Sequence, residues 1–374
     1  MKSDLLCFSH LRWGFVYQRP QHLLSRFARN GRVFFIEEPT FHDGEARMDV
    51  TRDEESGVMV VVARLPHGTA PEEADRLQRA LLDDLIARHE IEDFVAWYYT
   101  PMMMSFSAHL RPRVTVYDCM DELSAFKDAP PVLREREAEL FKRADLVFTG
   151  GQSLYEAKRE QHPDVHAFPS SVDVAHFAQA RRGLADPADQ SAIPHPRIGY
   201  CGVIDERMDL DLIAGVASVR PDWHLVMLGP VVKIDPEALP KNENIHWLGG
   251  KKYAELPAYM SGWDAAMLPF AHNESTRFIS PTKTPEYLSA GLPAVSTSIR
   301  DVVRPYGEQG LVQIADTPEA FVSAVERAFA QRSDAAWARQ VQQFLSGLSW
   351  DSTQRRMANL ILSKTEAESE QAVA

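Results

Sequence analysis

The stretch SPTKTPEYLSAGLPAVST, residues 280–297, sets a lysine and a glutamate three residues apart where a helix is about to begin. Thr284 is placed to cap it, Pro285 suits its first position, Gly291 closes it, and PAVST reads as a buried strand. Lys283 and Glu286 then lie at a helix N-terminus, where unpaired N–H groups and a partial positive charge favour an anion. Lys283 adds a full positive charge, which suits a diphosphate. Glu286, one turn in, suits the two hydroxyls of a ribose, so the pair would hold a nucleoside diphosphate at two chemically different points. The plainer alternative is that Glu286 complements the helix dipole and Lys283 is solvated.

RIGYCGVIDERMDLDLI (197–213) puts Gly199 and Gly202 at a strand end before a helix, where a missing side chain lets backbone N–H groups approach phosphate. A plain tight turn is the alternative there. The DLD at 209–211 opens a helix, so capping by Asp209 explains it better than metal binding. YDCMDE (117–122) ends another strand and offers Asp118, Asp121 and Glu122, with Asp118 and Asp121 turned different ways by strand alternation. Such a carboxylate could take a proton from an attacking hydroxyl; capping the following helix is the alternative. The loop LRWGFVYQRPQ (11–21) carries Trp13, Phe15 and Tyr17, suited to stacking on sugar or to packing on the core. Arg19 beside them suits an acceptor phosphate or the donor diphosphate. His10 and His22 flank this region as alternative bases.

The elements that must position these residues alternate in type. Short apolar runs at 4–10, 32–38, 58–65, 94–100, 114–120 and 146–151 are separated by helical patterns, which predicts a parallel sheet covered on both faces. A polar segment without apolar periodicity follows, and the alternation restarts at 197–204, 224–230, 244–250, 265–270, 292–298 and 311–316. The expected fold is therefore α/β with two doubly wound, Rossmann-like domains. Residues 1–178 form the first, 179–196 a linker, 197–348 the second, and 349–374 a terminal helix. Ligands of such sheets bind outside the carboxyl ends of the strands, which puts the chemistry in a cleft between the domains.

With 374 residues, 45% of them hydrophobic and 25% charged, the chain has the composition of a well-cored globular protein. A net charge of -13 argues against nucleic-acid binding, whose affinity comes from Lys and Arg on phosphates. No run approaches the roughly 18 apolar residues of a spanning helix. Cys7, Cys119 and Cys201 each sit in an apolar, strand-like segment, as reduced core residues in a cytoplasmic protein would. No His and Cys spacing matches a metal site.

GFVYQRPQHLLSRFA (14–28), YDCMDELSAF (117–126), the turn at Gly199, GPVVKI (229–234), HWLGGKKYAELPAYMSGWDAAMLPF (246–270), SPTKTPEYLSAGLPAVST and SWDSTQRRM (349–357) together resemble bacterial GT-B glycosyltransferases. The likeness spans nearly the whole chain and is strongest to the group 1 branch that builds teichuronic-acid-type and xanthan-type polysaccharides. It implies that the C-terminal domain binds a nucleotide sugar, the N-terminal domain binds the acceptor, no metal is required and the last helix crosses back to the first domain. It also implies Lys283 at the diphosphate, Glu286 at the ribose, Gly202 beside the phosphates, and Gly229 with the loop Gly249 to Tyr253 lining the nucleoside pocket. Of the carboxylates at 118–122 it favours Asp121 as general base, an arrangement that would invert the anomeric centre, with retention left open as the alternative. Many relatives carry a glutamate eight positions before the ribose glutamate; here Phe278 stands there and Glu274 lies twelve before.

The expected activity is sugar transfer from a nucleoside diphosphate, UDP favoured, to a carbohydrate or lipid-linked acceptor. Such acceptors are compatible with peripheral contact at the inner membrane face. No cofactor is expected beyond the donor itself. A nucleotide-sugar epimerase of the same fold would need no acceptor, and a sugar-nucleotide-binding protein without catalysis would bind donor and turn nothing over.

Overall fold

A computed structural model describes residues 3–373, and the chain divides into two compact units. One runs to Pro169 and takes in the residues from Asp351 onward; the other is Ser170–Trp350.

The first unit is built on eight strands: β1 (Asp4–Ser9), β2 (Val33–His42), β3 (Arg47–Arg52), β4 (Met59–Pro66), β5 (Phe94–Tyr98), β6 (Val114–Cys119), β7 (Leu146–Thr149) and β8 (Val165–Ala167). Their order is β3-β4-β2-β1-β5-β6-β7-β8. Only β3 runs antiparallel, as a hairpin with β4. Buried on both faces, β1, β5 and β7 read as unbroken apolar runs in the sequence. The terminal helix Trp350–Val373 closes this unit: Met357 and Ile361 are fully buried, Asp351 pairs with Arg26 and Arg29, and Lys364 with Asp164.

The second unit holds β9 (Arg197–Cys201), β10 (His224–Leu228), β11 (Ile245–Gly249), β12 (Ala265–Leu268), β13 (Ala294–Ser296) and β14 (Val312–Ile314). All six are parallel, in the order β11-β10-β9-β12-β13-β14. The strand order reverses between β9 and β12 here, and between β1 and β5 in the first sheet. Open α/β sheets bind ligands beyond the carboxyl ends at such reversals. Gly199 sits mid-strand in β9, not at its end, and serves packing: a Cβ there would lie 2.0 Å from the Trp263 ring.

Residues 179–196 are not a free linker but part of the second unit. Gln190 is fully buried, donates to the Tyr259 carbonyl at 3.0 Å, and accepts from Trp263 Nε1 at 2.9 Å. Arg197 reaches back to Asp186 at 2.7 Å. The segment is polar because it binds through side-chain hydrogen bonds, so apolar periodicity was the wrong signal for it.

Candidate functional site

The helix that carries Lys283 and Glu286 spans Lys283–Ser289, with Thr282 rather than Thr284 at its N-cap position and Pro285 as its third residue. A helix of seven residues has a weak macrodipole, so the side-chain cation is the main positive feature. The second half of the helix is fixed at two points. Tyr287 Oη accepts from the Cys201 N–H at 2.8 Å, which ties the helix to the carboxyl end of β9. Arg181 donates to the Ser289 carbonyl at 2.8 Å and the Leu288 carbonyl at 3.1 Å, covering its last turn.

Lys283 Nζ and Glu286 Oε2 form an ion pair, with the glutamate almost completely buried. Burial works against the ammonium, but Glu286 and Cys201 together outweigh it and hold Lys283 above its ordinary pKa. Burial pushes Glu286 above the usual carboxylate range while Lys283 pulls the other way. The Cys201 thiol is pushed up to about 11 by burial, with Lys283 opposing. The ammonium is thus electrostatically coupled to the end of β9, where Gly202 follows.

Gly202, Gly229 and Gly249 stand in a row at the carboxyl ends of β9, β10 and β11. Gly202 N–H donates to the Leu228 carbonyl and Gly229 N–H to the Gly249 carbonyl, both at 2.9 Å. A Cβ on Gly229 would lie 1.7 Å from the Gly202 carbonyl oxygen, so two backbones meet where no side chain fits. Gly229 is buried between half-buried Gly202 and exposed Gly249, so the row forms a ledge of bare backbone that a flat or phosphorylated ligand can approach closely at Gly202 and Gly249. Beyond it, Tyr253 opens a short 3-10 turn and stacks on His176, with ring centroids 4.2 Å apart and planes 10° apart. His176 Nε2 lies 3.0 Å from the Tyr253 carbonyl; a carbonyl only accepts, so this nitrogen carries the proton. Burial lowers the His176 pKa, the Tyr253 carbonyl and Asp173 oppose, and Lys283 lowers it further. His176 therefore belongs to the same surroundings as Lys283. Its sequence context gave no signal, because its partner lies 77 residues away.

In the first unit the carboxylates at the end of β6 and in the turn after it divide into three fates. Asp118 is fully buried and takes a forked contact from Arg19, whose Nη2 lies 2.8 Å from Oδ1 and whose Nη1 donates to the Phe168 carbonyl at 2.7 Å. This corrects the expectation that Arg19 binds phosphate: at 2% exposure its guanidinium is spent inside the core. Glu122 is held by Lys158 at 2.7 Å, and Lys158 also grips Glu137 at 2.8 Å. Asp121 lies between them, half-buried in the turn that follows β6. Gly150 lets that turn pass, since a Cβ there would lie 2.3 Å from the Met120 carbonyl oxygen. His22 is buried, with its ring edge against Tyr17. Glu274 is exposed and lies 3.8 Å from Arg277.

Asp209 accepts from the Leu212 N–H at 2.8 Å as a helix cap, as its position suggested. Among the described residues no three His, Cys, Asp or Glu side chains converge as metal ligands, and no helix is long and apolar enough to cross a membrane. The three cysteines are free and buried.

Residues 195–331, which include the glycine row and the Lys283 helix, match the family model for group 1 glycosyl transferases. The chain thus carries a group 1 glycosyltransferase domain within a two-unit GT-B fold. It is 25% identical over 279 residues to the Bacillus subtilis (strain 168) protein named for teichuronic acid biosynthesis, TuaH, covering 68% of each chain. Its fold matches sucrose-phosphate synthase from Thermosynechococcus elongatus with a TM-score of 0.72 at 14% identity, over 98% of this chain and 100% of that one. It also matches Anabaena HepE, solved with UDP and glucose, with a TM-score of 0.65 at 14% identity, over 96% and 99%.

Proposed function

We propose that this glycosyltransferase moves a sugar from a nucleoside diphosphate, UDP by preference, to a carbohydrate or lipid-linked acceptor in cell-surface polysaccharide synthesis. The observation that carries it is the Lys283–Glu286 ion pair beside the glycine ledge at the ends of β9, β10 and β11. A nucleotide sugar offers each partner a better match: a diphosphate for the ammonium and two ribose hydroxyls for the carboxylate. The bare ledge admits the phosphates, and the Tyr253–His176 stack supplies an aromatic wall for the base. Two relatives support donor and pathway: HepE was solved with UDP and glucose, and TuaH is named for teichuronic acid biosynthesis.

Asp121 is the general base for the acceptor hydroxyl. As the oxygen attacks the anomeric carbon, the carboxylate takes its proton, the carbon–oxygen bond to the diphosphate breaks, and Lys283 stabilises the departing charge. A single displacement of this kind inverts the anomeric centre. The test pairs binding with turnover. UDP should raise the melting temperature of the wild type and of Asp121→Asn but not of Glu286→Ala. Asp121→Asn should lose about 10²–10⁴-fold in turnover. UDP binding that survives Glu286→Ala unchanged would overturn the donor site, and a product that retains the donor's anomeric configuration by proton NMR would overturn Asp121 as base.

A further inference from the structure

We propose that the first unit carries a distal saccharide subsite, walled by Trp13 and the β3–β4 hairpin, that holds a neutral or amino sugar of an extended acceptor. This rests on the sugar-transfer function above and names the acceptor class it would use. A shallow, open groove of about 510 Å³ lies between the loop after β1 and that hairpin, with Trp13, Glu37, Thr51, Asp53, Glu54 and Glu55 among its lining. Pockets that take small ligands span roughly 300–1,000 Å³.

Trp13 is built in as a rigid wall. Its backbone N–H donates to Glu37 Oε1 at 2.7 Å, its backbone carbonyl accepts from Gln21 Nε2 at 2.7 Å, and its ring packs edge-to-face with Phe35 at 5.1 Å. Arg12 fixes the other oxygen of Glu37 at 3.0 Å. A sugar ring has a C–H face that lies well on an indole and a rim of hydroxyls that donate to carboxylates, and this groove offers both. Glu37, Asp53, Glu54 and Glu55 outnumber Arg52, the one cation in the lining, so the rim is net negative, which disfavours phosphate and uronate and favours neutral or amino sugars.

The position sets the length of the acceptor. Trp13 packs on Phe35 of β2, and in the order β2-β1-β5-β6 three strand spacings separate that strand from the one that precedes Asp121, or about 14 Å. A sugar unit at Trp13 and a hydroxyl at Asp121 therefore belong to one acceptor only if it is longer than a disaccharide.

Calorimetry and saturation-transfer NMR on the full chain test this with three probe series, each from dimer to hexamer: neutral gluco-oligosaccharides, chitosan oligomers and oligogalacturonates. Neutral or amino hexamers should bind at least about tenfold more tightly than the dimers, and Trp13→Ala should bring them down to the dimer level, with Trp13→Phe keeping most of the affinity. Oligogalacturonates should bind only after Glu54→Gln/Glu55→Gln, a change at two exposed residues that leaves the core alone. Equal affinity for hexamer and dimer, no response to Trp13→Ala, or a wild-type preference for galacturonates would overturn the subsite. UDP affinity measured in the same samples separates the two claims: it should be the same in Trp13→Ala and wild type, and its absence from the wild type would remove the donor site without bearing on the saccharide result.

Discussion

At the level of single residues, the Lys283–Glu286 pair separates stability from function. Breaking a buried ion pair by removing one partner costs about 3–5 kcal/mol, and less here because the Lys283 side chain is 16% exposed. Lys283→Met and Glu286→Leu should each lower the denaturation midpoint, while the double variant should recover most of the loss and still fail to bind UDP. Urea titrations with and without nucleotide read both effects. His176 gives a pH signature. Its folded pKa is depressed by burial, so its contribution is fully present above about pH 6.5, the ordinary histidine value, and is lost as pH falls through the depressed value. The stability difference between wild type and His176→Asn should therefore shrink as pH drops below 6.5. Lys283 and Glu286 were legible in the sequence because they sit on one turn of one element. The fate of Arg19 was not, since its partners Asp118 and Phe168 lie 99 and 149 residues away and only the fold brings them in.

Among the elements, the strands with apolar runs were all legible, and the two that were not share a physical reason. β3 is polar and exposed at a sheet edge, and β8 has three residues, also at an edge, so neither had to carry an apolar pattern. The turns between strands were harder to read than the strands. Gly199 and Gly202 look alike in sequence, yet one admits Trp263 and the other joins the backbone ledge. Gly229→Ala tests the ledge directly. Its Cβ would overlap the Gly202 carbonyl, so the two strand ends must part, costing about 1–3 kcal/mol and weakening UDP binding together. Gly68→Ala, where a positive φ is also present but no atom lies within 4 Å, should cost stability alone. In the first unit, Lys158→Met would leave Glu122 and Glu137 without their shared cation, and chemical denaturation should show a loss of about 3–5 kcal/mol.

For the whole molecule, the two units differ in how the chain makes them. Ser170–Trp350 is continuous and has its own apolar core. Expressed alone, it should fold cooperatively and keep UDP binding, as a thermal-shift assay of the fragment would show; an unfolded fragment would contradict its independence. Because Lys283 supplies the cation at the diphosphate in the proposed site, treating the full enzyme with EDTA should leave its turnover unchanged.

The first unit is interrupted, and its closing helix comes from the last residues of the chain. On the ribosome, the half that is made first must wait for the half that is made second before Met357 and Ile361 can enter its interior. A chain cut short before Asp351 would therefore harm the earliest-synthesised part of the protein and spare the later part, the reverse of what the position of the lesion suggests.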